Sequence, residues 1–107
     1  MNITVQSQDI KITKSLRQFI LKQTQKFNKL GQKISKININ LEKLAKKDKE
    51  PAANKVKYQI SIPGKPVLVI KRGAADMYAA IVDTTQAALR QVRKTKERRL
   101  TKREKRS

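Results

Sequence analysis

Two runs of strict alternation limit what this chain can fold into more than any other feature. From Lys36 to Leu44, Ile37, Ile39 and Leu41 point one way, and Lys36, Asn38, Asn40 and Glu42 point the other. From Lys55 to Ile62, Val56, Tyr58, Ile60 and Ile62 share one side, opposite Lys57, Gln59 and Ser61. A period of two with a single apolar side marks a half-buried strand. The sheet built from such strands has a wet face and a face that needs a cover. The stretch between them, Ala45 to Asn54 (AKKDKEPAAN), is charged, contains Pro51 and reads as a loop.

The cover is supplied by two amphipathic stretches. The first begins at Thr13 or Ser15, either a good N-cap, and runs to about Leu30. Leu16, Phe19, Ile20, Phe27 and Leu30 form its apolar stripe, which Gln23 interrupts, and Gly31 stands where a left-handed C-terminal residue is wanted. The second lies within Gly73 to Lys96. At 100° per residue, Met77, Ile81, Thr84, Ala88 and Val92 share one face, and Arg90, Arg93 and Lys94 fall opposite. Asp76 directly precedes it and is expected to cap it, and Tyr78 is expected to cover the sheet edge with its hydroxyl reaching a partner.

Two further strands complete the pattern. Asn2 to Ser7 alternates, with Ile3 and Val5 on one face. After a tight turn at Pro63-Gly64-Lys65-Pro66, Val67 to Lys71 forms the last strand, with Leu68 and Ile70 chosen as its inner side. The order is β-α-β-β-β-α, an α+β fold. The first helix is a right-handed crossover between parallel neighbours, and the later strands are antiparallel. A four-stranded mixed sheet with two helices packed on one face follows, because each helix has one apolar side. The amphipathic pattern fails after Val92. Residues 1–96 therefore read as one domain, and residues 97–107 as a basic, solvated or disordered tail.

Charge decides the class of partner. The chain holds 27 Lys and Arg against 8 Asp and Glu, a net +19. Only +7 of this lies in Arg93 to Ser107, so the body is basic too. Such an excess opposes folding through self-repulsion and favours an anionic partner. Lys22, Lys26 and Lys29 form a stripe on the first helix at i, i+4 and i+7, and Arg90, Arg93 and Lys94 form one on the second. Helix surfaces are usually charged, but a merely solvated surface mixes signs, and Ala87 to Lys96 contains no acid. The expected ligand is a nucleic acid, recognised by shape, phosphates and riboses more than by base reading. The wet sheet face carries amides and lysines where base stacking would need aromatics.

Catalysis is not expected. There is no His or Cys, the acids are scattered without paired spacing, and no glycine-rich phosphate loop is present. No cofactor, no metal and no small-molecule substrate are implied. No apolar run is long enough for a membrane span and the N-terminus does not read as a signal peptide, which fits a cytoplasmic protein.

Asn2-Ile-Thr-Val5, Ile10-Lys-Ile-Thr13, Leu16-Arg17-Gln-Phe19 and above all Asp76-Met-Tyr-Ala-Ala-Ile81 with Arg90-Gln91 and Lys94 carry a family resemblance. Over residues 1–96 the chain resembles the ribosome hibernation promoting factors, the YfiA-like ribosome-associated translation inhibitors, in their short form. The resemblance implies a monomer that binds the small ribosomal subunit and its ribosomal RNA. It would occupy the channel of messenger RNA and of A- and P-site transfer RNA in idle ribosomes. The family's RNA-contacting positions would fall on Lys22, Lys26, Lys29, Arg90, Arg93 and Lys94. Ala87 stands where relatives often have a basic residue, and Asp83 one place later than their acidic residue. A general double-stranded RNA binder and a structural ribosomal protein are the alternatives.

Overall fold

The computed structural model describes residues 1–8, 10–43 and 54–106, with side chains through Thr95. The elements follow the expected order. They are β1 (Asn2–Gln8), α1 (Lys14–Thr24) continued by a 3₁₀ segment (Gln25–Leu30), β2 (Lys36–Lys43), β3 (Asn54–Ser61), β4 (Leu68–Ala74) and α2 (Met77–Arg106). The strands lie in the order β1-β2-β3-β4. β1 runs parallel to β2, and β2–β3 and β3–β4 are antiparallel.

Alternation in the sequence becomes alternation in burial. Ile37, Ile39 and Leu41 of β2, and Val56, Tyr58 and Ile60 of β3, are almost completely buried. Each fully covered aliphatic side chain of this size contributes roughly 1.5–3 kcal/mol relative to exposure. Ile70 completes the inner face on β4, while Val67 and Val69 are 54% and 52% exposed, as the choice of Leu68 and Ile70 requires. Leu16, Ile20 and Phe27 come down from the first helical stretch, and Ile81, Thr84, Ala88 and Val92 from α2, into the same core. Both helices lie on this one side, against each other, and α2 also packs on β3 and β4.

Three local features differ from the sequence reading. First, the α-helix tightens at Gln25. Thr24 Oγ1 donates to the Leu21 carbonyl at 2.9 Å, and the Gln25 N–H is shared between Leu21 and Gln23 carbonyls. The turn that follows is 3₁₀ and ends on Gly31 at φ 64°, the left-handed residue that Gly adopts without steric penalty. Second, β4 runs on to Ala74. Gly73 pairs with Lys55 and Ala74 with Asn54, whose Nδ2 donates to the Ala75 carbonyl at 2.8 Å. Third, helical backbone continues past Lys96 to Arg106, through a run of Lys, Arg, Glu, Leu and Thr with no Gly or Pro. The expected loop over 44–53 lies outside the described residues.

Candidate nucleic-acid interface

α2 is anchored at its start by Asp76. Its Oδ2 accepts from the Ala79 N–H at 3.3 Å, and its carbonyl from the Ala80 N–H at 3.0 Å, as expected of an N-cap. Tyr78 is placed differently from the expectation. Its ring meets Phe19 of α1 edge-on, with centroids 4.9 Å apart and planes at 60°. It therefore bridges the two helices instead of covering the sheet edge. It is 41% exposed, because Phe19 is itself only half-buried beneath it.

Further along, α2 is fixed to the sheet by a polar bond inside the core. Tyr58 is fully buried, and its hydroxyl lies 2.8 Å from Thr85 Oγ1. Burial pushes the phenol up to about 12, and the Thr85 hydrogen bond offsets part of that rise. Thr84 and Thr85 also donate to the carbonyls of Ala80 and Ile81, both at 2.7 Å. This leaves no donor of either threonine unmet. Ala87 is only 3% exposed, so where relatives were expected to carry a cation this chain has a small residue closed into the core side.

All six basic positions read from the sequence are exposed. Lys22 sits in the last turn of α1. Lys26 and Lys29 lie in the 3₁₀ segment, where three residues make a turn and i and i+3 stand in line. Phe27 and Leu30 stand in line in the same way, the first buried and the second half-buried. The 3₁₀ geometry thus keeps apolar and basic residues of this segment on separate sides. Arg90, Arg93 and Lys94 span about 100° of α2, away from the buried line of Ile81, Ala88 and Val92. Since α1 and its extension pack against α2, the two basic sets occupy neighbouring helices of one layer. Asp83 is exposed and lies two turns before Arg90 on the same side of α2. It bounds the acid-free stretch at its N-terminal end.

One feature of the open sheet face escaped the sequence reading. Cross-strand register sets Gln6, Asn40, Lys57 and Lys71 in a single row over all four strands. Asn40 and Lys57 were already assigned to the wet face, but the partner of Lys57 depends on the β3–β4 register. The signal for it is the turn. Pairing is symmetric about Gly64, at φ 76°, so counting outward from that glycine brings Lys57 opposite Lys71.

Among the described residues, no group of three or more His, Cys, Asp or Glu is placed to hold a metal ion. Among the same residues, no helix is long and apolar enough to cross a membrane.

Residues 3–100 match the family model described as sigma 54 modulation protein / S30EA ribosomal protein. Among solved structures, the fold is similar to the N-terminal domain of Thermus thermophilus Protein Y, with a TM-score of 0.75 at 23% identity, covering 89% of this chain and 99% of that one. It is also similar to a ribosomal subunit interface protein from Coxiella burnetii, with a TM-score of 0.72 at 20% identity, covering 91% of this chain and 99% of that one. Comparison with curated proteins gives no match.

Proposed function

The chain belongs to the sigma 54 modulation protein / S30EA ribosomal protein family, and from that premise we propose that it is a ribosome-binding translation inhibitor of the hibernation factor type. It enters the small subunit where messenger RNA and the A- and P-site transfer RNAs pass, and it acts in the cytoplasm on idle ribosomes of stationary or starved cells. The observation that carries this reading is the helical layer. Its outer surface exposes Lys22, Lys26, Lys29, Arg90, Arg93 and Lys94, and α2 has no acid from Ala87 to Lys96. The name of one structural neighbour, a ribosomal subunit interface protein, supports a ribosomal site.

The mechanism is occlusion, and no bond is made or broken. Lysine ammonium groups and arginine forks take phosphate oxygens of ribosomal RNA and release the counterions those phosphates held. The sheet-and-helix body then fills space that message and transfer RNA need. The contacts come from residues 1–96, and residues 97–107 add a basic extension that follows the path of the message. The chain works alone, without cofactor or substrate.

Co-sedimentation with purified small subunits, repeated at rising salt, tests the proposal together with inhibition of translation in vitro. The parent protein binds at low salt and is released as salt rises. Replacing Arg90, Arg93 and Lys94 together by Glu weakens binding by about 10²–10³-fold at about 50 mM salt. It removes inhibition and leaves the circular dichroism spectrum unchanged, since all three side chains are exposed. A parent protein that ignores small subunits at low salt refutes the proposal.

A further inference from the structure

We propose that the open face of the sheet is a second RNA-contact surface, centred on Lys57 and Lys71, so that the protein is held by phosphates on both of its broad sides. This rests on the reading above that the ligand is ribosomal RNA.

Lys57 of β3 and Lys71 of β4 are direct partners in an antiparallel ladder. Side chains so placed have Cβ atoms about 4.5–5.5 Å apart, and like charges there oppose folding. The neighbouring residues do little to relieve this. Glu42 is the only acid on this face among the described residues, and it stands in the next row, opposite Lys55. The partners of Lys57 and Lys71 in their own row are amides, Asn40 and then Gln6. Two lysines paired across the ladder, with the nearest acid one row away, form a place where one anion can meet two cations.

The row also has the shape of a binding surface. Gln6, Asn40, Lys55, Lys57 and Lys71, with Glu42 as the one acid, line a groove of about 650 Å³ that reaches from β1 to β4. Lys57 is half-buried within it, whereas Lys71 is exposed. The chemistry selects the backbone of a nucleic acid. Ammonium groups take phosphate, and the Gln6 and Asn40 amides can donate to or accept from a sugar hydroxyl. No aromatic side chain lies on this face. Tyr58 is buried beneath it, and Phe19, Phe27 and Tyr78 belong to the helical layer, so base stacking plays no part. A polyanion that meets cations on the helices thus finds a second set on the reverse side of the same thin body.

Two measurements on the full chain test this. The first is lysine acylation of the parent protein, free and bound to small subunits, read by mass spectrometry. Lys57 and Lys71 lose reactivity on binding. The second is subunit affinity against salt for K57Q/K71Q. Removing two phosphate contacts makes the salt slope shallower by about 1.4–1.8, so the parent loses roughly tenfold more affinity than the variant between about 50 and 200 mM salt. Thermal unfolding of the variant at low salt is expected at or above the parent's, because a like-charge pair has gone. Should the parent bind while Lys57 and Lys71 stay as reactive as in the free protein, and the variant keep the parental slope, the second surface is overturned and the helical one stands. If the parent does not bind subunits at all, both readings fall.

Discussion

Replacing Tyr58 by Phe isolates the bond that fixes α2 to the sheet. The Thr85 hydroxyl already donates its proton to the Ile81 carbonyl at 2.7 Å. Tyr58, 2.8 Å from the same oxygen, must therefore be the donor in the pair. Phe keeps the ring in the core and loses one neutral hydrogen bond, which costs about 1 kcal/mol. At the scale of this chain that lowers the melting temperature by about 4–8 °C at neutral pH. Alkali reverses the ranking. The phenol ionises near 10 when unfolded and at about 12 when folded, because burial disfavours the phenolate more than the Thr85 hydrogen bond offsets. Between those values the unfolded chain has given up a proton that the folded chain still holds, so stability falls as pH rises. The stability at stake amounts to roughly 2–3 kcal/mol, fully present below pH 10 and lost above pH 12. The variant has no phenol at this position and escapes that loss. Its stability therefore overtakes the parent's near pH 11. Urea unfolding of both proteins at pH 7, 10 and 11.5 decides the matter. A difference between them that stays constant over that range would refute the burial argument, and a variant as stable as the parent at pH 7 would refute the donor assignment.

Other outcomes follow from single groups. Asp76→Ala removes the side-chain cap on α2 and lowers stability by about 1 kcal/mol in urea unfolding, while Asp76→Asn keeps most of it. Gln23→Leu raises stability by about 1 kcal/mol, because Gln23 is only 8% exposed and its Oε1 has no hydrogen-bond partner among the described residues; a lower melting temperature would show that this oxygen is satisfied. Asp83→Asn, two turns from Arg90, tightens binding to small subunits a few-fold at about 50 mM salt, and the gain disappears at about 0.5 M, where charges this far apart are screened.

The sequence makes the inner side of the sheet readable because each strand declares it locally. Ile37, Ile39 and Leu41 need no knowledge of their neighbours to be assigned inward. Even Leu68 and Ile70, inside a run that is apolar throughout, are separable from Val67 and Val69 by continuing the period from the turn. What the sequence hides is set between elements. The length of β4 depends on β3 being there to pair with Arg72, Gly73 and Ala74, which lie past the strand end read at Lys71. The tightening at Gln25 depends on a threonine hydroxyl bonding back to Leu21 within its own helix. Tyr78 finds Phe19 only because α1 lies alongside α2. The basic helical positions were legible for the opposite reason. Exposure on an amphipathic helix is the complement of its apolar face, and that face was already known.

The charge of the body now has a structural account. A two-layer fold has one core and two outer surfaces, the helices on one side and the sheet on the other. Residues 1–92 cannot place an excess of cations in the core, so the excess must be divided between those surfaces or concentrated on one. The helical layer takes Lys22, Lys26, Lys29 and Arg90, and the sheet takes Lys36, Lys55, Lys57 and Lys71. Had the cations served only general solubility, selection for stability would favour acids opposite them in the ladder. That is what Glu42 opposite Lys55 supplies, and what Lys57 opposite Lys71 lacks. The absence of compensation at one cross-strand pair, next to its presence one row away, separates a solvated surface from one that awaits an anion.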